Sequence, residues 1–115
     1  MKIYHNPRCS KSRQTLKLIT DAGIEPEIAL YMDKGLSVVI LKNLIVALGF
    51  DSPKDLVRKG EKIYKELGLR DVDDDNLLKA LSKHPKLIER PIVVKGGKAI
   101  LGRPPENVTP FLTYD

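Results

Sequence analysis

Apolar and polar positions change period several times along this chain, and each change marks an element. Ile3 and Tyr4 make a short strand of Lys2–Tyr4, followed by a polar turn through His5-Asn6-Pro7-Arg8. A helical pattern then runs from Lys11 to about Ala22, with Leu16, Ile19 and Gly23 along one side and Gly23 as its stop. Glu27–Tyr31 alternates loosely and predicts a second strand. Two strands joined by a helix predict a βαβ unit with a parallel pair. In Leu36–Leu48, Val38-Val39-Ile40-Leu41 alone would suit a strand. However, Leu41, Leu44, Ile45 and Leu48 fall at i, i+3, i+4 and i+7, and Gly49 closes the segment, so length and spacing predict a helix.

Ser52-Pro53 supplies an N-cap followed by proline at the first helical position, with a short helix expected to about Arg58. Another is expected over Glu61–Leu67, before Gly68. Asp73-Asp74-Asp75 opens a helix that runs to about Lys83. Its acids lie at the start, Lys83 and His84 at the end, and Leu77, Leu78 and Leu81 on the buried side. Pro85 ends it. Pro91–Lys95, Gly96-Gly97 and Lys98–Leu101 form a β-hairpin signal. Pro104-Pro105-Glu106 starts a last helix burying Val108, Phe111 and Leu112, and Thr113–Asp115 is expected to fray. The order β-α-β, helices, β-β, α places the chain in the α/β class. It predicts a thioredoxin-like (glutaredoxin-like) fold with a helical insertion, about residues 36–84, between the second and third strands.

At 115 residues the chain reads as one domain, 1–115, able to bury roughly two-thirds of its unfolded surface. No apolar run is long enough for a bilayer span, and Met1-Lys2-Ile3-Tyr4-His5 lacks the apolar segment of a signal peptide, so a cytoplasmic protein is expected. The net charge of +5 (20 basic minus 15 acidic) raises nucleic acid as a partner. The cations are spread among acids rather than blocked together, and aromatics make up only 5%, which argues against base stacking or groove reading. A small anion held by a few dedicated arginines uses the excess better.

Cys9 is the only cysteine, so no internal disulfide can form. It lies between a polar turn and the start of a helix, with Arg8, Lys11 and Arg13 close in sequence. Unpaired N–H groups and the helix dipole there favour negative charge, so the thiol is expected to ionise below roughly 8.5 and act as a nucleophile. Cys9 and Ser12 form Cys-x-x-Ser, in which the serine hydroxyl is placed to stabilise a thiolate. Any resolving thiol must come from another molecule. The phosphatase-type Cys-x5-Arg loop is ruled out, because Thr15 stands where its arginine would be. Cys and His pairs at zinc spacing are lacking, and Asp73–Asp75 reads as a solvated helix start, so no metal is expected.

His5, four residues before Cys9, is either an acid or cation serving the sulfur or a turn histidine bonded to backbone. His84 reads as a cap matched to a helix dipole. Three arginines stand out by position. Arg90 precedes Pro91, where thioredoxin-like folds often hold a cis proline beside the reactive cysteine. Arg103 precedes Pro104 just past the fourth strand, and Arg58 ends a short helix of the insertion. Guanidinium groups grip tetrahedral oxyanions in bidentate fashion, but these three serve one site only if the fold brings them to the thiol.

The segments His5-Asn6-Pro7-Arg8-Cys9-Ser10-Lys11-Ser12-Arg13, Glu89-Arg90-Pro91-Ile92-Val93-Val94 and Gly102-Arg103-Pro104-Pro105-Glu106 closely resemble the glutaredoxin-coupled arsenate reductase family. Leu56-Val57-Arg58-Lys59, continuing to Tyr64-Lys65-Glu66-Leu67-Gly68-Leu69, matches a further family segment, and the similarity runs from Lys2 to about Leu112. The resemblance implies reduction of arsenate to arsenite through a thiol–arsenate adduct on Cys9. Glutathione would be co-substrate, glutaredoxin the protein partner, and no cofactor would be bound. Arg58, Arg90 and Arg103 match the family's oxyanion-binding arginines, and His5 and Ser12 match positions that assist the thiolate. Plasmid-borne members carry Gly-Thr after the cysteine where this chain has Ser10-Lys11, and this chain ends soon after its last helix. It therefore resembles the short chromosomal branch, and a monomer is expected. The competing expectations are a protein-binding regulator of the same fold and a glutathione-dependent monothiol reductase acting on protein mixed disulfides.

Overall fold

In the computed structural model, whose described residues are 1–112, a four-stranded sheet is built from the first and last parts of the chain. The fraying expected of Thr113–Asp115 lies outside the described residues. The strands are β1 (Lys2–Tyr4), β2 (Glu27–Ala29), β3 (Ile92–Lys95) and β4 (Lys98–Leu101), in the order β2-β1-β3-β4. β1 and β2 are parallel, whereas β3 is antiparallel to both β1 and β4. Parallel neighbours cannot be joined by a tight turn, so helix α1 (Ser10–Asp21) makes the crossover. Gly96, at φ +61°, takes the left-handed conformation that the two-residue hairpin loop requires.

The register aligns Ile28, Ile3, Val93 and Ile100 across one face of the sheet. Ile3 and Val93 join Ile19 of α1 and Val108 in a fully buried cluster. Leu16, Leu18, Ile24, Phe111 and Leu112 pack around it. Val108 belongs to a 3-10 helix, Pro105–Leu112, where a helix was expected; Pro110 inside it lacks the N–H that an α-helical ladder needs.

β2 ends at Ala29, not Tyr31, because its partner strand ends at Tyr4, and the short helix α2 (Tyr31–Lys34) begins instead. The inward face of α1 is Ser12, Thr15 and Ile19, with Leu16 only half-buried. The two inward hydroxyls are hydrogen-bonded, which meets the cost of burying them.

Residues 32–89 form a second compact unit, and the helical stretch expected near 36–84 falls within it. Its helices are α3 (Val38–Ala47), α4 (Lys62–Glu66) and α5 (Asp74–Lys83), with 3-10 turns at Pro53–Asp55, Leu69–Asp71 and Pro85–Leu87. Ser37 and Asp73 cap α3 and α5 by accepting from the N–H groups of Ile40 and Asn76. α5 buries Leu77, Leu78 and Leu81 as the spacing predicts. The Ser52-Pro53 helix stops at Asp55 rather than near Arg58. Val57 pairs with Ile88 in an isolated antiparallel bridge, and the flanking N–H groups of Arg58 and Glu89 bond to Leu87 and Leu56 carbonyls at 2.7 and 2.8 Å. Among the described residues, no helix is long and apolar enough to cross a membrane.

Candidate active site

The sheet register brings the site together. Tyr4 pairs with Ile92, and Ile92 with Leu101. The loop leaving β1 toward Cys9, the segment entering β3 from Arg90, and the segment leaving β4 toward Arg103 therefore meet at one end of the sheet. The Arg90–Pro91 bond is cis, in the isomer that thioredoxin-like folds favour there, and Arg103–Pro104 is cis as well.

Cys9 is the N-cap of α1, with extended dihedrals (φ −95°, ψ 121°) and no side-chain capping bond. Its sulfur is thus available to the helix end without serving as its cap. Partial burial by itself pushes the Cys9 thiol up. The Ser12 backbone N–H, the hydrogen bond and charge of Arg90, and the Lys11 backbone N–H outweigh that burial, leaving the thiol below its ordinary pKa. The sequence predicts the Ser12 hydroxyl at the sulfur; instead it is the Ser12 main chain at the helix end that favours the thiolate, without a side-chain capping bond. The hydroxyl lies 2.6 Å from His5 Nδ1 and accepts the Asn6 N–H at 3.0 Å.

His5 is buried, and burial together with the nearby Arg13 charge lowers its pKa. Burial thus favours the neutral imidazole, whose Nδ1 lies against the Ser12 hydroxyl. The loop between them is built by Asn6, which the sequence reading passed over. Its carbonyl accepts the Cys9 N–H, and its Oδ1 accepts the Arg8 N–H, both at 3.0 Å. The second bond is an Asx-turn, and Asn-Pro at that point in the sequence is a signal for one. Arg13 adds a bond from Nη1 to the Pro7 carbonyl at 2.8 Å.

The Arg90 charge helps hold the Cys9 thiol down, yet the Arg90 Nε and Nη1 are buried without a hydrogen-bond partner among the described residues. Buried guanidinium donors left unpaired are costly, and a bound anion removes that cost. Arg103 is exposed, and its segment is held by Asn107 Nδ2, which donates to the Arg103 and Leu101 carbonyls. Arg58 belongs to the 32–89 unit, where its Nε meets Glu61 Oε1 at 3.3 Å in a half-buried ion pair. No group of three or more His, Cys, Asp or Glu side chains among the described residues is arranged to hold a metal. The arrangement presents a sulfur whose thiol is held below its ordinary pKa beside a cation with spare donors, which suits nucleophilic attack on an oxyanion.

The ArsC family profile matches residues 4–111. An uncharacterised protein of Escherichia coli (strain K12), YfgD, is 50% identical over 110 residues, which is 94% of this chain and 92% of that protein. An arsenate reductase of Haemophilus influenzae is 48% identical over 112 residues, covering 96% of this chain and 97% of that one. Among solved structures, an arsenate reductase from Vibrio cholerae superposes with a TM-score of 0.92 at 49% identity, covering 95% of this chain and 94% of that chain.

Proposed function

The chain belongs to the ArsC family and has its thioredoxin-like fold, and from that premise we propose that it reduces arsenate to arsenite, with Cys9 as nucleophile and glutathione and glutaredoxin as the source of electrons. The thiolate attacks arsenic(V), a sulfur–arsenic bond forms, and one oxygen leaves as water after protonation. A glutathione thiolate then attacks the Cys9 sulfur. The sulfur–arsenic electron pair stays on arsenic, releasing arsenite, and Cys9 is left in a mixed disulfide with glutathione. Glutaredoxin takes the glutathione in turn and frees Cys9. Two thiols are oxidised for each arsenic reduced, which balances the two electrons gained.

The observation that carries this reading is the pair of buried Arg90 donors, without a partner among the described residues, beside a Cys9 thiol held below its ordinary pKa. Arg90 and Arg103, whose segments end at the same edge of the sheet as the Cys9 loop, would grip the arsenate oxygens, while a role for Arg58 rests on its motif alone. His5 and Ser12 hold the first turn of α1 in shape around the sulfur. The test is arsenite formation in a coupled assay with glutathione and glutaredoxin, run beside Cys9→Ser. Turnover is expected from the wild type and none above background from the variant. Wild-type rates from Cys9→Ser would remove the sulfur from the mechanism.

A further inference from the structure

Resting on the reading of Cys9, Arg90 and Arg103 as one oxyanion site, we propose that Thr15 and Gly102 are positioning residues that lock both arginine-bearing segments against the helix presenting the thiol. Gly102 sits between the end of β4 and Arg103. A Cβ on it would lie 2.5 Å from Thr15 Oγ1, 2.8 Å from Thr15 Cγ2 and 2.8 Å from Pro91 Cγ. These are atoms of a fully buried β-branched side chain and of a proline ring, neither able to swing aside. Gly102 is not among the glycines with positive φ, so close contact, not backbone conformation, is what demands glycine here.

Hydrogen bonds reinforce the contact. The Gly102 N–H donates to the Pro91 carbonyl at 2.9 Å. Thr15 Oγ1 lies 3.2 Å from the Gly102 carbonyl and 2.8 Å from that of Lys11, with its single proton to share between them. One point thus joins the second turn of α1, the residue after Arg90 and the residue before Arg103. Displacement at this point moves two cations relative to the sulfur, and an oxyanion gripped by fixed donors tolerates little of that.

The experiment compares Gly102→Ala, Thr15→Val, Thr15→Ser and the double variant Thr15→Ala/Gly102→Ala. Four quantities are measured: arsenate KM, kcat, the pH dependence of Cys9 alkylation by iodoacetamide, and melting temperature. Gly102→Ala is expected to raise KM by about tenfold or more and to shift the alkylation profile toward higher pH as Arg90 withdraws. Thr15→Ala removes both clashing threonine atoms but leaves Pro91 Cγ, so the double variant should recover part of the loss, a non-additive result. Thr15→Val keeps the shape without the hydroxyl and should move both readouts the same way by less, while Thr15→Ser should stay near wild type. Should Gly102→Ala fail to fold, the Val and Ser pair decides. A lower melting temperature with KM and alkylation profile unchanged would reduce the contact to ordinary packing and overturn the proposal. A wild-type protein without arsenate turnover would sink the proposed function alone, because the alkylation profile needs no arsenate and still reports the lock.

Discussion

Helices α1 and α5 treat charge in opposite ways. α5 follows the rule for a stable helix: Asp73 caps it through a 2.8 Å bond, Asp74 and Asp75 occupy its first turn, and Lys83 its last. α1 inverts that rule. Its first turn holds no acid, Lys11 and Arg13 lie near its positive end, Asp21 ends it, and Cys9 occupies the cap position without making a capping bond. Such misplaced charges generally cost about 0.3–1 kcal/mol each in an isolated helix. The lesson is that α5 is charged for folding, whereas α1 leaves its N-terminal field uncompensated by its own side chains, so that the field acts on the Cys9 sulfur.

Cys9→Ser should show the contrast most sharply. Turnover is expected to vanish, yet serine is a good N-cap and the backbone there is already extended, so stability should rise by about 1 kcal/mol. Kinetics and thermal melting on one sample would check both signs; a fall in stability would mean that the thiol contributes to folding as α5's cap does. Next in size, Arg90→Ala should lower arsenate kcat/KM by about thirtyfold, roughly 2 kcal/mol, and shift Cys9 alkylation to higher pH. In α5, Asp73→Ala should cost about 1 kcal/mol of stability with arsenate kinetics unchanged, and a kinetic defect would erase the distinction between the two helices.

Lys11→Glu gives α1 the charge pattern of α5. A slightly higher melting temperature is expected, with slower Cys9 alkylation at neutral pH and a difference that fades as salt is added. The smallest effect belongs to His5. Because burial lowers its pKa, between that lowered value and 6.5 the unfolded chain binds a proton that the folded one refuses. Stability should therefore fall as pH drops through this window, and His5→Gln should flatten that part of a melting-temperature profile.

Much of the site could be read in the chain before the fold was known. Cys9 at a helix start, the hairpin that separates Arg90 from Arg103, and the capping of α5 all follow from residues within a few positions of one another. The inward face of α1 could not be read this way. Periodicity favoured Leu16 and Gly23, but Ser12 and Thr15 are buried because their partners are His5, seven residues back, and Gly102, 87 residues on. The second strand and the Ser52-Pro53 helix were overestimated for a similar reason: the length of β1 and the pairing of Val57 with Ile88 set where they stop.

Sequence alone determined the order of elements, the lone sulfur and its cationic surroundings, because turn chemistry, capping and periodicity act over one or two helical turns. Tertiary structure decided which donors reach that sulfur. The spare Arg90 N–H groups, the lowered pKa of His5 and the contact at Gly102 arise from burial and from packing between distant segments, and no local pattern encodes either.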